Sequence, residues 1–106
     1  MSPIDRLRGN GYSDNDIMDL IHMFEKQIIH LKANIDNLNT KDTAEELHRL
    51  KGGCDLLYLY DFTDKVAEIR TFISTADIST SKSLLNDLIN ELIVVFTRMK
   101  QQLTTN

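Results

Sequence analysis

The run Ile17-Met18-Asp19-Leu20-Ile21-His22-Met23-Phe24-Glu25-Lys26-Gln27-Ile28-Ile29-His30-Leu31 decides the fold. Within it Ile17, Ile21, Phe24, Ile28 and Leu31 recur at spacings of four and three, and Ile35 and Leu38 continue the series. An α-helix turns about 100° per residue, so this spacing lays all seven side chains along one stripe. Ser13 precedes the stripe as a candidate N-cap, and Asp14 and Asp16 place negative charge at the positive end of the helix dipole. The pattern predicts a helix over 14–38, about 37 Å long at ~1.5 Å per residue.

Three further segments carry the same period. Asn39-Thr40-Lys41 breaks the first helix, and Asp42 with Glu45 three residues on gives a cap-like start to a second, over 42–58. A third covers 62–74, with Phe62, Val66, Ile69 and Phe72 or Ile73 inward. The stretch from Ser74 to Ser81 is rich in Ser and Thr and reads as a loop. The fourth covers 82–103, with Leu85, Leu88, Leu92, Val95, Met99 and Leu103 inward. A short helical turn around Ile4 to Leu7 is broken off by Gly9-Asn10-Gly11. No segment alternates as a strand does. Four amphipathic helices with short connections predict an all-α fold, an antiparallel up-and-down four-helix bundle with a short N-terminal helical segment, in a single domain over 1–106.

Charge and composition exclude several function classes. A formal charge of −4 argues against nucleic-acid binding, which needs a basic face. No apolar run approaches the ~20 residues of a membrane span. Met1-Ser2-Pro3-Ile4-Asp5 has no apolar signal-peptide core, and a single cysteine makes no internal disulfide, so a cytoplasmic location is expected. No Gly-rich nucleotide loop is present, so no kinase activity is expected. The cysteine, Cys54, falls on the core stripe of the second helix, and no His/Cys/Asp/Glu cluster has the spacing of a closed metal site. His30 points away from the first stripe and reads as a surface residue.

The second helix breaks a local rule. It contains His48-Arg49-Leu50-Lys51-Gly52-Gly53. Gly in a helix interior costs roughly 1 kcal/mol relative to Ala, and here two stand together. Either they end the helix as a C-cap, or the helix runs on through Cys54 and Leu57, whose register matches Leu47 and Leu50. In the continuous helix Gly52 lies about 40° and Lys51 about 60° from His48, on opposite sides of it, while the leucines gather elsewhere. The histidine then sits at the edge of the wet face, with a cation beside it and no side chain one turn on.

The segment from Asp42 to Arg70 resembles the histidine-containing phosphotransfer (HPt) domain family. That family carries His-x-x-Lys-Gly on the second long helix of a four-helix bundle, here His48, Lys51 and Gly52. Its Gly-Leu-x-x-Leu-x-x-x-Ala-x-x-Leu run is matched in its apolar positions by Leu59, Phe62, Val66 and Ile69, with Tyr58 in place of the Gly. The resemblance implies a phosphoryl carrier in a multistep two-component phosphorelay, not an autonomous enzyme. His48 would accept the phosphoryl group, Lys51 would offset its charge, and Gly52 would clear space for a partner. The implied partners are a response-regulator receiver domain and an upstream hybrid sensor kinase. No cofactor is expected on this chain, Mg²⁺ belonging to the receiver, and the protein is expected to be a monomer. A free-standing protein and a domain of a hybrid kinase fit equally well.

The chemistry suits the residue types. Imidazole exchanges its proton near neutral pH, so a neutral nitrogen is available as nucleophile. Phosphoryl transfer depends mostly on positioning and electrostatics, which a lysine three residues on can supply. Two departures from the family pattern accompany Tyr58. Asp55, about 20° from His48 on the same face, is an acid where a small residue is usual, close enough to Lys51 to pair with it. Leu47 stands where Ala is common. The expected receiver footprint is Ala44, Glu45, Lys51, Gly52 and Asp55 around His48, with Met18, His22 and Ile29 from the first helix, the apolar two of which lie off its core stripe. The alternative is a non-phosphorylated adaptor or inhibitor that binds receivers or other signalling proteins; a third reading is a helical dimerisation domain.

Overall fold

Ser13 opens the longest of the N-terminal elements with a reciprocal capping box. Its hydroxyl accepts from the Asp16 backbone N–H at 3.1 Å, and the Asp16 carboxylate accepts from the Ser13 N–H at 3.2 Å. Two of the orphan donors of the first turn are thereby satisfied. The computed structural model describes residues 1–75 and 77–105, and the side chains of all of these but Ser74 and Thr75. Among the described residues the chain forms five α-helices and no strand: α1 (Pro3–Gly9), α2 (Asp14–Asn34), α3 (Thr40–Leu56), α4 (Tyr60–Thr75) and α5 (Ile78–Thr104), with a 3₁₀ turn over Ile35–Asn37. The all-α expectation and the short N-terminal helix hold. No described helix is long and apolar enough to cross a membrane.

The element ends differ from those predicted. The first long helix stops at Asn34 and not at Leu38: the Asn34 side chain donates to the His30 carbonyl at 2.9 Å, and its backbone leaves helical geometry at φ −113°, ψ 3°. Asparagine competes with helix in this way because its side chain bonds the nearby backbone. The cap of α3 is Asn39, not Asp42. The Asn39 Oδ1 accepts from the Asp42 N–H at 2.7 Å, and Asp42 thus falls in the first turn. The predicted loop from Ser74 to Ser81 is mostly helix, α4 running to Thr75 and α5 starting at Ile78; Ala76 lies outside the described residues. Asp77 is the N-cap of α5 and accepts from the Ser79 N–H, so the Ser and Thr residues that follow sit in a capped first turn. α3 ends at Leu56 rather than Tyr58, and α4 begins two residues earlier than expected.

The core runs along the stripes. Ile17, Ile21, Phe24, Ile28 and Leu31 of α2 are buried against Leu47, Leu50 and Cys54 of α3, Val66 and Ile69 of α4, and Leu85, Leu88, Leu92 and Met99 of α5. Ile89 and Phe96 are buried as well, whereas Val95, predicted inward, is only half-buried. The Phe96 ring meets that of Phe24 edge-on, 5.3 Å between centroids, a favoured aromatic geometry. α3 packs along α4, α4 along α5, α5 along α2, and α2 on α3, closing a ring of helix contacts. The flank of α2 that meets α5 is marked by polar bonds: Lys100 holds both Glu25 oxygens, at 2.7 and 3.0 Å, and Lys32 donates to Asn90 at 2.7 Å. α1 docks on α2 through buried Ile4 and Leu7 and is tied down by Arg8–Asp14 at 2.8 Å.

Candidate functional site

The helix α3 continues through Gly52 and Gly53 to Leu56, so the two glycines are not a C-cap. This continuity fixes the geometry of the motif. His48, Gly52 and Asp55 are exposed on one face of α3, with Glu45 exposed and Ala44 and Lys51 half-buried beside them. His48 shares a shallow depression with Lys41, Ala44, Glu45 and Arg49. Arg49 is engaged by Glu46 at 2.8 Å. Lys51 makes no ion pair among the described residues. The anticipated Lys51–Asp55 pair is absent, and Asp55 accepts from the Thr63 hydroxyl of α4 at 2.8 Å. The described part of α3 thus presents an exposed imidazole, a cation one turn on that no anion has claimed, and a gap at Gly52.

The two glycines have different reasons. A methyl on Gly53 would fall 2.5 Å from two ring carbons of Phe24, well inside van der Waals contact. Gly53 is what lets α3 approach α2 this closely. A methyl on Gly52 would meet nothing within 4 Å. The fold therefore gives no reason for glycine at 52, and the propensity cost there stands without an intramolecular return.

An apolar groove of about 340 Å³ opens beside Gly52. Leu20, Met23, Phe24 and Gln27 of α2 form one wall, and Arg49, Gly52, Gly53 and Leu56 of α3 the other. Met23 and Leu56 are large apolar side chains left 61% and 45% exposed there. Met18, His22 and Ile29 are not brought to this place. They lie about 120–160° around α2 from Phe24, on the side of Glu25, which faces α5. Met18 is half-buried against the core and His22 and Ile29 are exposed. The helical wheel gives α2 two flanks but not which neighbour takes each, and the three expected residues lie on the flank away from this groove. The signal for the other flank was present in Leu20 and Met23, apolar residues beside the stripe.

Tyr58 closes the end of α3. Its backbone takes φ 58°, the left-handed conformation. The Leu59 N–H donates to the Cys54 carbonyl at 2.8 Å and the Tyr58 N–H to that of Asp55 at 3.2 Å, the bond pair of a Schellman motif, whose left-handed residue is usually Gly. The turn therefore keeps the conformation that glycine favours, although a tyrosine occupies it. The Tyr58 hydroxyl accepts from the Asn10 side chain, and its ring meets Tyr60 edge-on at 5.9 Å. These contacts hold the strained residue in place. Cys54 is buried, and loss of solvent, with the Asp55 charge adding to it, pushes its thiol up to about 12. It is a packing residue, not a nucleophile. Among the described residues no group of three or more His, Cys, Asp or Glu is arranged to hold a metal ion.

Comparison with models of known protein families, with curated proteins and with solved structures returned no match.

Proposed function

We propose that this chain is a histidine phosphotransfer module of the HPt type, an antiparallel up-and-down four-helix bundle that carries a phosphoryl group on His48 between receiver-domain aspartates. The observation that carries the reading is Gly52. It is exposed, has no neighbour its side chain would strike, and sits one turn beyond an exposed histidine on an unbroken helix. A glycine that costs helix stability and relieves nothing within the fold is accounted for by a partner that must approach His48 closely. The ring of contacts among α2, α3, α4 and α5 supports the bundle layout.

In the step proposed, a neutral imidazole nitrogen of His48 attacks the phosphorus of an aspartyl phosphate on the receiver. The N–P bond forms as the P–O bond to the aspartate breaks, and the carboxylate leaves with the electron pair. The imidazolium that results gives up its other ring proton to solvent, and the reverse sequence returns the group. Lys51 offsets the phosphoryl charge throughout, an electrostatic role suited to a loose, charge-spread transition state. The receiver supplies the aspartate and its Mg²⁺. This chain acts as carrier, without kinase activity, in the cytoplasm and as a monomer. Its docking face joins Ala44, Glu45, Gly52 and Asp55 to the groove wall of Leu20, Met23 and Gln27 on α2.

The test is transfer from a panel of phosphorylated receiver domains to the protein and to His48→Gln. Acid-labile, base-stable label on the wild type and none on the variant is the expected result. Receiver binding without label on the wild type would overturn carriage and leave an adaptor.

A further inference from the structure

Thr63 stands outside the group formed by His48, Lys51 and Gly52. It lies in the first turn of α4, and its hydroxyl donates to Asp55 Oδ1 at 2.8 Å. The Leu59 carbonyl, at 3.4 Å, is the other acceptor within its reach. A hydroxyl has one proton to give, and the shorter bond goes to the carboxylate. Bonds to an ionised acceptor are roughly twice as strong as neutral ones, so the preference has a cause.

What this bond prevents is more informative than what it holds. Asp55 is four residues beyond Lys51 on α3, and side chains at that spacing are neighbours on a helix surface. Its carboxylate is the natural partner for the Lys51 ammonium. It also lies about 20° from the direction of His48, two turns further along the helix. A carboxylate free to swing back along α3 would neutralise Lys51 and add like charge beside a phosphoryl group. Both effects oppose carriage by His48. Yet Lys51 makes no ion pair among the described residues, and the Asp55 carboxylate is bonded to α4 instead.

Building on the phosphotransfer reading of His48, we propose that Thr63 is a positioning residue that holds the Asp55 carboxylate against α4 and so keeps the Lys51 ammonium available to a phosphoryl group on His48. An acid at position 55 is a liability for a phosphoryl carrier, and Thr63 offsets it from the neighbouring helix. The device acts through Asp55 and Lys51; Thr63 itself touches neither the imidazole nor the phosphoryl group.

Thr63→Val keeps the branched shape and removes the hydroxyl, while Thr63→Ser keeps the hydroxyl. Single-turnover transfer from a phosphorylated receiver should slow about 1.5- to two-fold in Thr63→Val, the factor expected from an exposed i,i+4 ion pair competing for the lysine. Thr63→Ser should transfer at the wild-type rate. In an Asp55→Asn background Thr63→Val should cause no further slowing, the double variant transferring at the rate of Asp55→Asn alone, because the competing charge is gone. A loss caused by poorer packing of α4 on α3 would persist in the double variant and overturn the proposal. The nitrogen NMR resonance of the Lys51 ammonium gives a readout that needs no receiver. It should move in Thr63→Val and return in both Thr63→Ser and the double variant. Transfer by the wild type with a Lys51 resonance indifferent to Thr63→Val would overturn the role of Thr63 alone. A resonance that moves as expected, in a protein that accepts no phosphoryl group from any receiver, would overturn the carrier reading and the function assigned to Thr63 with it.

Discussion

The ring of Phe24 on α2 fills the space in which a side chain on Gly53 of α3 would begin, 2.5 Å from where its first carbon would stand. The adjacent Gly52 faces open space. Two identical neighbours in the sequence thus differ in what surrounds them: packing inside the fold requires glycine at 53 and does not require it at 52.

Alanine substitutions should separate them. At Gly53 an overpacking cost of about 1–3 kcal/mol is set against the roughly 1 kcal/mol that Ala gains over Gly in a helix, and a net loss of up to about 2 kcal/mol is expected. Gly52→Ala has no such cost and should be more stable by up to about 1 kcal/mol. Urea unfolding of the two variants measures both signs. Gly52→Ala should at the same time slow phosphoryl transfer, since its methyl projects into the space a receiver would enter. A Gly52→Ala variant that is both more stable and unimpaired in transfer would remove the main support for the carrier reading.

Tyr58 holds a left-handed backbone with an ordinary side chain, which costs about 1–2 kcal/mol relative to glycine. Comparing Tyr58→Gly with Tyr58→Ala isolates that cost, because both lose the ring contacts to Tyr60 and Asn10. The glycine variant should be the more stable of the two by about 1 kcal/mol. Thermal melts giving equal midpoints would mean that the turn relaxes out of the left-handed region once the ring is removed.

The helices themselves were legible because their apolar stripes repeat every three or four residues, as from Ile17 to Leu31. The ends were less so. Ser, Thr and Asp serve loops and capped first turns alike, so the stretch after Ser74 read as a loop although Asp77 caps a helix there. At the site, the common face of His48, Lys51 and Gly52 followed from spacing alone. The α2 side of the groove did not follow, because the wheel does not give the handedness with which helices pack. Nor could spacing reveal that Thr63, eight residues from Asp55, would donate to its carboxylate from the next helix.

Cys54 gives a pH-dependent signature. Burial pushes its thiol up to about 12 from an ordinary 9.0. Between those values the native state keeps a proton that the unfolded chain releases. Unfolding therefore becomes more favourable as pH rises through that window, and below it the thiol has no effect on the pH dependence. Cys54→Ala should flatten the loss of stability between pH 9 and 11 relative to the wild type, about two pH steps apart on a urea titration. In the folded wild type at pH 9, a thiol reagent should react only as fast as the protein opens, and added urea should accelerate it. Prompt alkylation without denaturant would contradict the burial of this residue.

The groove between α2 and α3 makes the last prediction. Met23 lines it, 61% exposed and close to Gly52, whereas Ile29, 52% exposed, lies on the flank of α2 that turns toward α5. Both side chains are surface residues, so replacing either by Lys should change stability by no more than about 0.5 kcal/mol. Their effects on a receiver should differ. An apolar side chain buried at the middle of an interface is worth well over 1 kcal/mol, and a lysine in its place leaves a charge to desolvate, so Met23→Lys should weaken receiver binding by about ten-fold or more. Ile29→Lys should leave it unchanged. Calorimetric titration with a cognate receiver measures both. Equal losses would extend the docking face around to the α5 side of α2, and a loss confined to Ile29→Lys would move it there altogether.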